Sequence, residues 1–219
     1  MSSSPKIIAI DGPAAAGKGT LAKNLGKYYG LELLDTGLLY RAVGKKLLDS
    51  GINFNKEIEN YYSDAIEVAL SLIPQDLKIE GLRTDEAAQA ASKISALPEV
   101  RAALLDFQRS FANAPPNSAN GVILDGRDIG TVVCPYADFK FFLFASAEVR
   151  AKRRYKELRY RGVEAIYARV LEEMEERDAR DMKRNASPLV AAEDAFQLDT
   201  SNLDAEEAFA VALDYIKNK

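Results

Sequence analysis

Nine consecutive residues, Gly12-Pro13-Ala14-Ala15-Ala16-Gly17-Lys18-Gly19-Thr20, have the composition and spacing of a loop that wraps phosphate. Gly12 and Gly17 let backbone N–H groups approach anionic oxygens closely. Lys18 can bridge the outer phosphates, and the helix expected to follow adds about half a positive charge at its start. Gly19 stands where a Ser or Thr would ligate a magnesium ion directly, and Thr20 comes one position later. Water-mediated holding of Mg²⁺ is therefore expected, with no direct protein ligand. Val122-Ile123-Leu124-Asp125 reads as a strand ending in an acid that could orient the hydrated ion, although an Asp-Gly pair after a strand can also be a plain turn.

Four further groups could handle anionic ligands. Leu34-Asp35-Thr36-Gly37 leads into Tyr40-Arg41, which puts a hydroxyl and a cation near a helix start. Asp125-Gly126-Arg127-Asp128-Ile129-Gly130-Thr131 places Arg127 just past a strand end, where α/β sheets bind ligands. Its guanidinium could grip a phosphate bidentately, or it could simply pair with Asp128. From Arg150 to Arg161 the basic residues are Arg150, Lys152, Arg153, Arg154, Lys156, Arg159 and Arg161, against the single acid Glu157. Such a run is commonly a solvated helix face, but arginines there could also neutralise a transferring phosphoryl group. Arg177, Asp181 and Arg184 share one face of a helix by spacing.

Composition narrows the chemistry. The 219 residues include no His and one Cys, so a Ser-His-Asp or Cys-His triad, a His/Cys zinc site and an internal disulfide are all excluded within the chain. Cys134 reads as a small buried hydrophobe. Hydrophobic residues make up 47% and charged residues 28%, as in ordinary globular proteins, and the net charge is −4. The acidic balance argues against nucleic acid as a partner. The longest apolar runs are far short of a membrane span, and the start, Met1 to Lys6, does not read as a signal leader. A cytoplasmic protein is expected, with no membrane partner.

The elements that must position these residues alternate. Strands are expected at Lys6–Ile10, Glu32–Asp35, Val122–Leu124, Phe139–Ala145 and Phe196–Leu198. Helices are expected from about Lys18 to Tyr29, from a Thr36 cap to Ser50, from Pro98 to Phe111, over Ala147 to Arg184 with a break near Gly162, and from Leu203 to Lys217. The last should bury Ala208, Val211, Ala212, Tyr215 and Ile216 on one face. The middle, Asn53 to Ala114, reads as helical patches near Glu57–Leu72 and Glu86–Ser95, with Lys78-Ile79-Glu80 as a short strand. Alternation of this kind implies a mostly parallel α/β sheet flanked by helices.

Taken together, the motifs resemble the bacterial cytidylate kinase family of the nucleoside-monophosphate kinase group. The marks are Ile10-Asp11-Gly12-Pro13 with Gly17-Lys18-Gly19-Thr20, Leu34-Asp35-Thr36-Gly37 with Tyr40-Arg41, Pro98-Glu99-Val100-Arg101, and Asp125 to Val133. Glu176-Arg177-Asp178-Ala179-Arg180-Asp181 and Ser187-Pro188-Leu189 complete the set. The chain differs from the family at Thr36, where Ser is frequent, and in a shorter segment over Leu77–Glu86.

The resemblance implies the P-loop nucleoside-monophosphate kinase fold over a single domain, 1–219. Its core would cover about 1–52, 97–147 and 185–219, with an inserted CMP-binding subdomain at about 53–96 and a short lid at about 150–165. The implied activity is γ-phosphoryl transfer from ATP to CMP or dCMP, with Mg²⁺ near Asp125, in pyrimidine nucleotide metabolism. The implied roles follow the motif positions. Gly12 to Thr20 hold ATP. Thr36, Arg41, Arg127 and Arg184 hold the acceptor phosphate, Arg177 and Asp181 face the ribose, and Ser92, Arg101 and Asp128 contact cytosine, with Tyr40 packing nearby. Lys18, Arg127, Asp128, Arg153 and Arg154 would carry catalysis. The loop Asp199-Thr200-Ser201 would lie beside the adenine. A monomer is expected. The competing expectations are a kinase for UMP, AMP or another small acceptor, and a catalytically silent nucleotide switch or nucleic-acid module.

Overall fold

The computed structural model describes residues 6–54 and 57–219. The stretch Met1–Pro5 lies outside them, as do Asn55 and Lys56 of the middle segment. The chain divides into two compact units. The first runs to Leu34 and resumes over Ala112–Lys219; the second is Asp35–Phe111.

The first unit is built on five strands: β1 (Ile7–Asp11), β2 (Glu32–Asp35), β3 (Val122–Gly126), β4 (Phe139–Phe144) and β5 (Phe196–Asp199), in the order β2-β3-β1-β4-β5. β1 pairs in parallel with β3 and with β4, and β4 with β5. The register sets Ile8 against Ile123 and Ile10 against Asp125 and Phe141. Parallel strands covered on both faces read as apolar runs, which is why Ile8, Ala9 and Ile10 are all fully buried. Helices α1 (Lys18–Tyr29) and α8 (Ala205–Asn218) contribute Leu21, Leu25, Ala212 and Ile216 to a core completed by Ile123, Phe141, Leu143 and Leu198. Two further helices of this unit, α6 (Ala147–Tyr160) and α7 (Tyr167–Lys183), pack through Ala151, Leu158, Val170 and Met174. Ala14 and Ala15 of the phosphate loop pack against this same cluster.

The second unit is helical: α2 (Gly37–Asp49), α3 (Tyr62–Leu70), α4 (Asp85–Ile94) and most of α5 (Pro98–Asn113). A Cβ on Gly44 would lie 2.8 Å from Ala90 Cβ, so glycine lets α2 and α4 approach closely. Leu39, Val43, Leu47, Ala65, Ile94 and Leu104 fill the interior.

Four expectations change. Lys78-Ile79-Glu80 forms no strand; a 3₁₀ turn spans Pro74–Lys78 instead. Pro74 starts it, and the Asp76 carboxylate accepts from the Ile73 N–H at 2.9 Å. Thr36 does not cap α2 through its side chain, because its backbone is already helical (φ −66°, ψ −19°) and a capping hydroxyl needs an extended residue. α8 starts at Ala205, fixed by a reciprocal Asp204/Glu207 cap. Its buried stripe is Ala208, Ala212 and Ile216, spaced by four, which leaves Val211 37% exposed and Tyr215 partly buried.

Candidate functional site

The phosphate loop follows β1 and opens onto α1. Gly12 has φ +142°, and a Cβ there would sit 2.0 Å from the Leu143 carbonyl oxygen on β4. Only glycine lets the loop leave the sheet at that point. Ala15 also lies in the left-handed region, at φ +58°. An alanine held there is strained, and such residues cluster at ligand clamps. Lys18 is buried, with its ammonium donating to the Pro13 carbonyl at 2.9 Å and standing 3.8 Å from Asp125 Oδ1. The loop thus curls around its own lysine, with a counter-charge supplied by the end of β3.

Arg150 braces the loop from behind. Its Nε donates to the Ala145 carbonyl at 2.9 Å, one Nη to the Ala14 carbonyl at 3.4 Å, and the other pairs with Asp178 at 2.6 Å. Thr200 braces it from another side. Its hydroxyl donates to the Ala16 carbonyl at 3.0 Å and accepts from Arg153 Nη1 at 3.0 Å.

Past the end of β3, a second cluster forms around Asp181 of α7. Arg127 Nε donates to Asp181 Oδ2 at 3.0 Å, and Arg184 Nη1 stands 3.7 Å from Oδ1. Burial pushes the Asp181 carboxyl up, but the charges of Arg127, Arg177 and Arg184 outweigh it and hold the group below the usual carboxylate range. Burial likewise works against the Arg127 cation, and Asp181 and Asp125 more than restore it. Such a cluster keeps its charges fixed across neutral pH and can meet an anion without a proton change. Asp128 is buried next to it in sequence, at the start of a π-turn over Ile129–Val133.

The second unit brings together other expected residues. Arg101 lies with its guanidinium 5.4 Å from the centre of the Tyr40 ring, and its Nη1 donates to the Ser95 carbonyl at 3.2 Å. Ser92 is 3% exposed, and its hydroxyl has no hydrogen-bond partner among the described residues. A buried orphan of this kind fits a group that a ligand would satisfy. Arg41 donates to the Leu82 and Thr84 carbonyls, at 3.0 and 3.3 Å. Thr36 is buried at the start of α2.

Arg153 and Arg154 of α6 are occupied. Arg153 donates to the Thr200 hydroxyl, and also to the Thr200 and Leu203 carbonyls. Arg154 pairs with Glu157 at 3.0 Å. Arg150, Asp178 and Asp11 carry structural contacts at the site. The sequence carries them only as members of a basic run and of longer motifs, with no role of their own. Among the described residues no group of three or more acids and cysteines could hold a metal ion. A divalent cation near Asp125 would therefore draw most of its ligands from elsewhere. Among the same residues no helix is long and apolar enough to cross a membrane.

Known proteins resemble the chain in fold and in sequence. A solved structure of an uncharacterized protein from Eubacterium ventriosum superimposes with a TM-score of 0.53 at 18% identity, covering 98% of this chain and 99% of that one, which speaks to the fold alone. Cytidylate kinases from Paramagnetospirillum magneticum and Methylocella silvestris are 57% and 54% identical to the chain. The first comparison covers 97% of this chain and 98% of the relative, the second 94% and 92%. The family model for cytidylate kinase matches residues 8–218. With the match running almost from end to end, through the loop, the Arg127 turn and α7 alike, the chain belongs to the cytidylate kinase family.

Proposed function

We infer that the chain transfers the γ-phosphoryl group of ATP to CMP or dCMP, releasing ADP and CDP or dCDP. The observation that carries this reading is the phosphate loop, closed around a buried Lys18 beside Asp125, in a chain that matches one kinase family over residues 8–218. A phosphate oxygen of the acceptor attacks the γ-phosphorus while the bond to the β-phosphate oxygen breaks. The attacking group is already anionic, so no strong general base is needed, in line with a chain that has no histidine.

The residue roles are those the resemblance implies, and charge and burial support them. The loop amides of Gly12 to Thr20 and Lys18 hold the ATP phosphates. Arg127 and Arg184, with Thr36 and Arg41, take the acceptor phosphate; Arg177 and Asp181 take the ribose. Ser92, Arg101 and Asp128 read the base beside Tyr40. Cytosine offers an amine donor next to ring acceptors, which a carboxylate, a hydroxyl and a guanidinium can match. Uracil reverses one of those bonds and leaves a buried group unpaired, so rejection can be strong. Arg153 and Arg154 are the lid arginines of this reading. Arg154 would exchange Glu157 for phosphate, whereas Arg153 serves the Asp199–Ser201 loop that supports the loop around ATP. Mg²⁺, when bound, would neutralise charge on the ATP phosphates; the Asp125 carboxylate beside Lys18 fits a hydrated ion held mainly by the nucleotide. The inserted 53–96 segment and the 150–165 lid complete the reading, in a cytoplasmic monomer.

An ADP-release assay with CMP, dCMP, UMP and AMP side by side tests it. Release driven by CMP and dCMP well above UMP and AMP is expected. Acceptor-independent release, or a preference for AMP, would sink it.

A further inference from the structure

Asp11 ends β1, one residue before the phosphate loop, and it is buried. Its two oxygens serve two different amides. Oδ1 accepts from the Ile129 N–H at 2.8 Å and Oδ2 from the Gly130 N–H at 2.7 Å. These amides open the π-turn directly after Arg127 and Asp128. An Asp at a strand end ordinarily bonds its own neighbours in a turn. This one reaches 118 and 119 residues along the chain.

The arrangement is costly. Burial raises the Asp11 carboxyl to about 7, and the two amides and Lys18 offset only part of that, while Asp128 adds to the rise. A strand end needing only to pack would be cheaper with an apolar residue. Gly130 is closely packed on the opposite side. A Cβ there would touch Asp11 Oδ2 at 3.4 Å, an ordinary contact, and would press at 3.2 Å on Cδ of the buried Lys140 beside it.

We propose that Asp11 is a positioning residue for the acceptor: it clamps the backbone at 129 and 130, so that Asp128 and Arg127 present their charges to the nucleotide monophosphate at one fixed place. This rests on the roles given above to Arg127 and Asp128. Asp11 touches no substrate. It acts through the turn it holds, although it stands beside the ATP loop in sequence.

The variants Asp11→Asn and Gly130→Ala separate this from support of the ATP loop. Asn keeps one acceptor oxygen and turns a donor toward the other amide. In Asp11→Asn the KM for CMP should rise about tenfold, as expected for a lost hydrogen bond to a charged group, with the KM for ATP within about twofold. Preference for CMP over UMP should narrow. Gly130→Ala should show the same split, and the double variant should be no worse than the worse single one, because both disturb one contact. Equal shifts in both KM values, or a larger shift for ATP, would overturn the proposal. If Asp11→Asn does not fold, an unchanged KM for CMP in Gly130→Ala overturns it. A wild-type protein with no CMP-dependent ADP release defeats the kinase reading itself, which is a different result from either.

Discussion

The phosphate loop and the Asp181 cluster both stand ready for anions in the same unit, yet they are built differently. The loop is one continuous stretch whose geometry comes from backbone freedom at Gly12, a strained Ala15 and a lysine turned onto its own loop carbonyl. The cluster joins residues 54 positions apart, Arg127 at the end of β3 and Asp181 on α7. Its order comes from opposed charges in a partly dry setting. The loop is shaped before any ligand arrives, around a buried lysine. In the cluster, each charge depends on the others.

The sharpest break between the two is Lys18→Ala. Turnover should fall by about a hundredfold to a thousandfold, as when a preorganised charge partner is removed from a reacting phosphate. The melting temperature should change far less than turnover, because the ammonium donates to a carbonyl of its own loop and its ion pair with Asp125 is long, at 3.8 Å. Near-normal kinetics would mean that the loop does not hold ATP.

Asp181→Asn should behave in the opposite way. Arg127 loses its nearest counter-charge in a mostly buried setting, so stability should fall by about 3 kcal/mol in urea titration. The KM for CMP should rise about 10- to 100-fold, and that for ATP far less. Equal effects on both substrates would remove Asp181 from the ribose.

Dependence on pH sharpens the contrast in sign. Asp181 is held below its ordinary 3.8, so the stability it contributes is present above that value and is lost as pH falls through its lower folded value. Asp11 is raised from 3.8 to about 7, so its contribution is full below 3.8 and is lost as pH rises through 7. Urea midpoints across pH should therefore show Asp181→Asn flattening the acid limb and Asp11→Asn flattening the decline between 3.8 and 7. The same limb flattened by both variants would contradict the assignment.

The smallest effect belongs to the exposed rim. Glu157→Gln removes a partner of Arg154 on α6 and of Arg161 just past its end, and water screens those pairs. Stability should change by less than about 1 kcal/mol. A larger loss would show that α6 is held by its surface charges and not by Ala151 and Leu158.

The same difference explains what could be read early. The five strands, the helices around them and the loop were legible because each depends on neighbours in sequence: apolar runs for β1 and β4, Gly30 at the left-handed end of α1, and glycine spacing from Gly12 to Gly19. The misses were also local. Pro74 and Asp76 outcompeted a weak strand signal at Lys78–Glu80, and Thr36 entered α2 in a helical conformation that its residue type does not reveal. Val211 fits the apolar spacing of α8 but lies outside its buried stripe of Ala208, Ala212 and Ile216.

By itself, the sequence determined the parallel α/β plan, the phosphate loop and the kinase family, since these are written in contiguous residues and their periodicity. Only the tertiary structure decided which charges face which. Arg150 could have been one more solvated arginine of a basic run, but it is buried against Ala14, Ala145 and Asp178. Asp11 could have closed a local turn, but it holds Ile129 and Gly130. A buried charge is stable only where distant groups meet it with good geometry, and that meeting is a property of the folded chain.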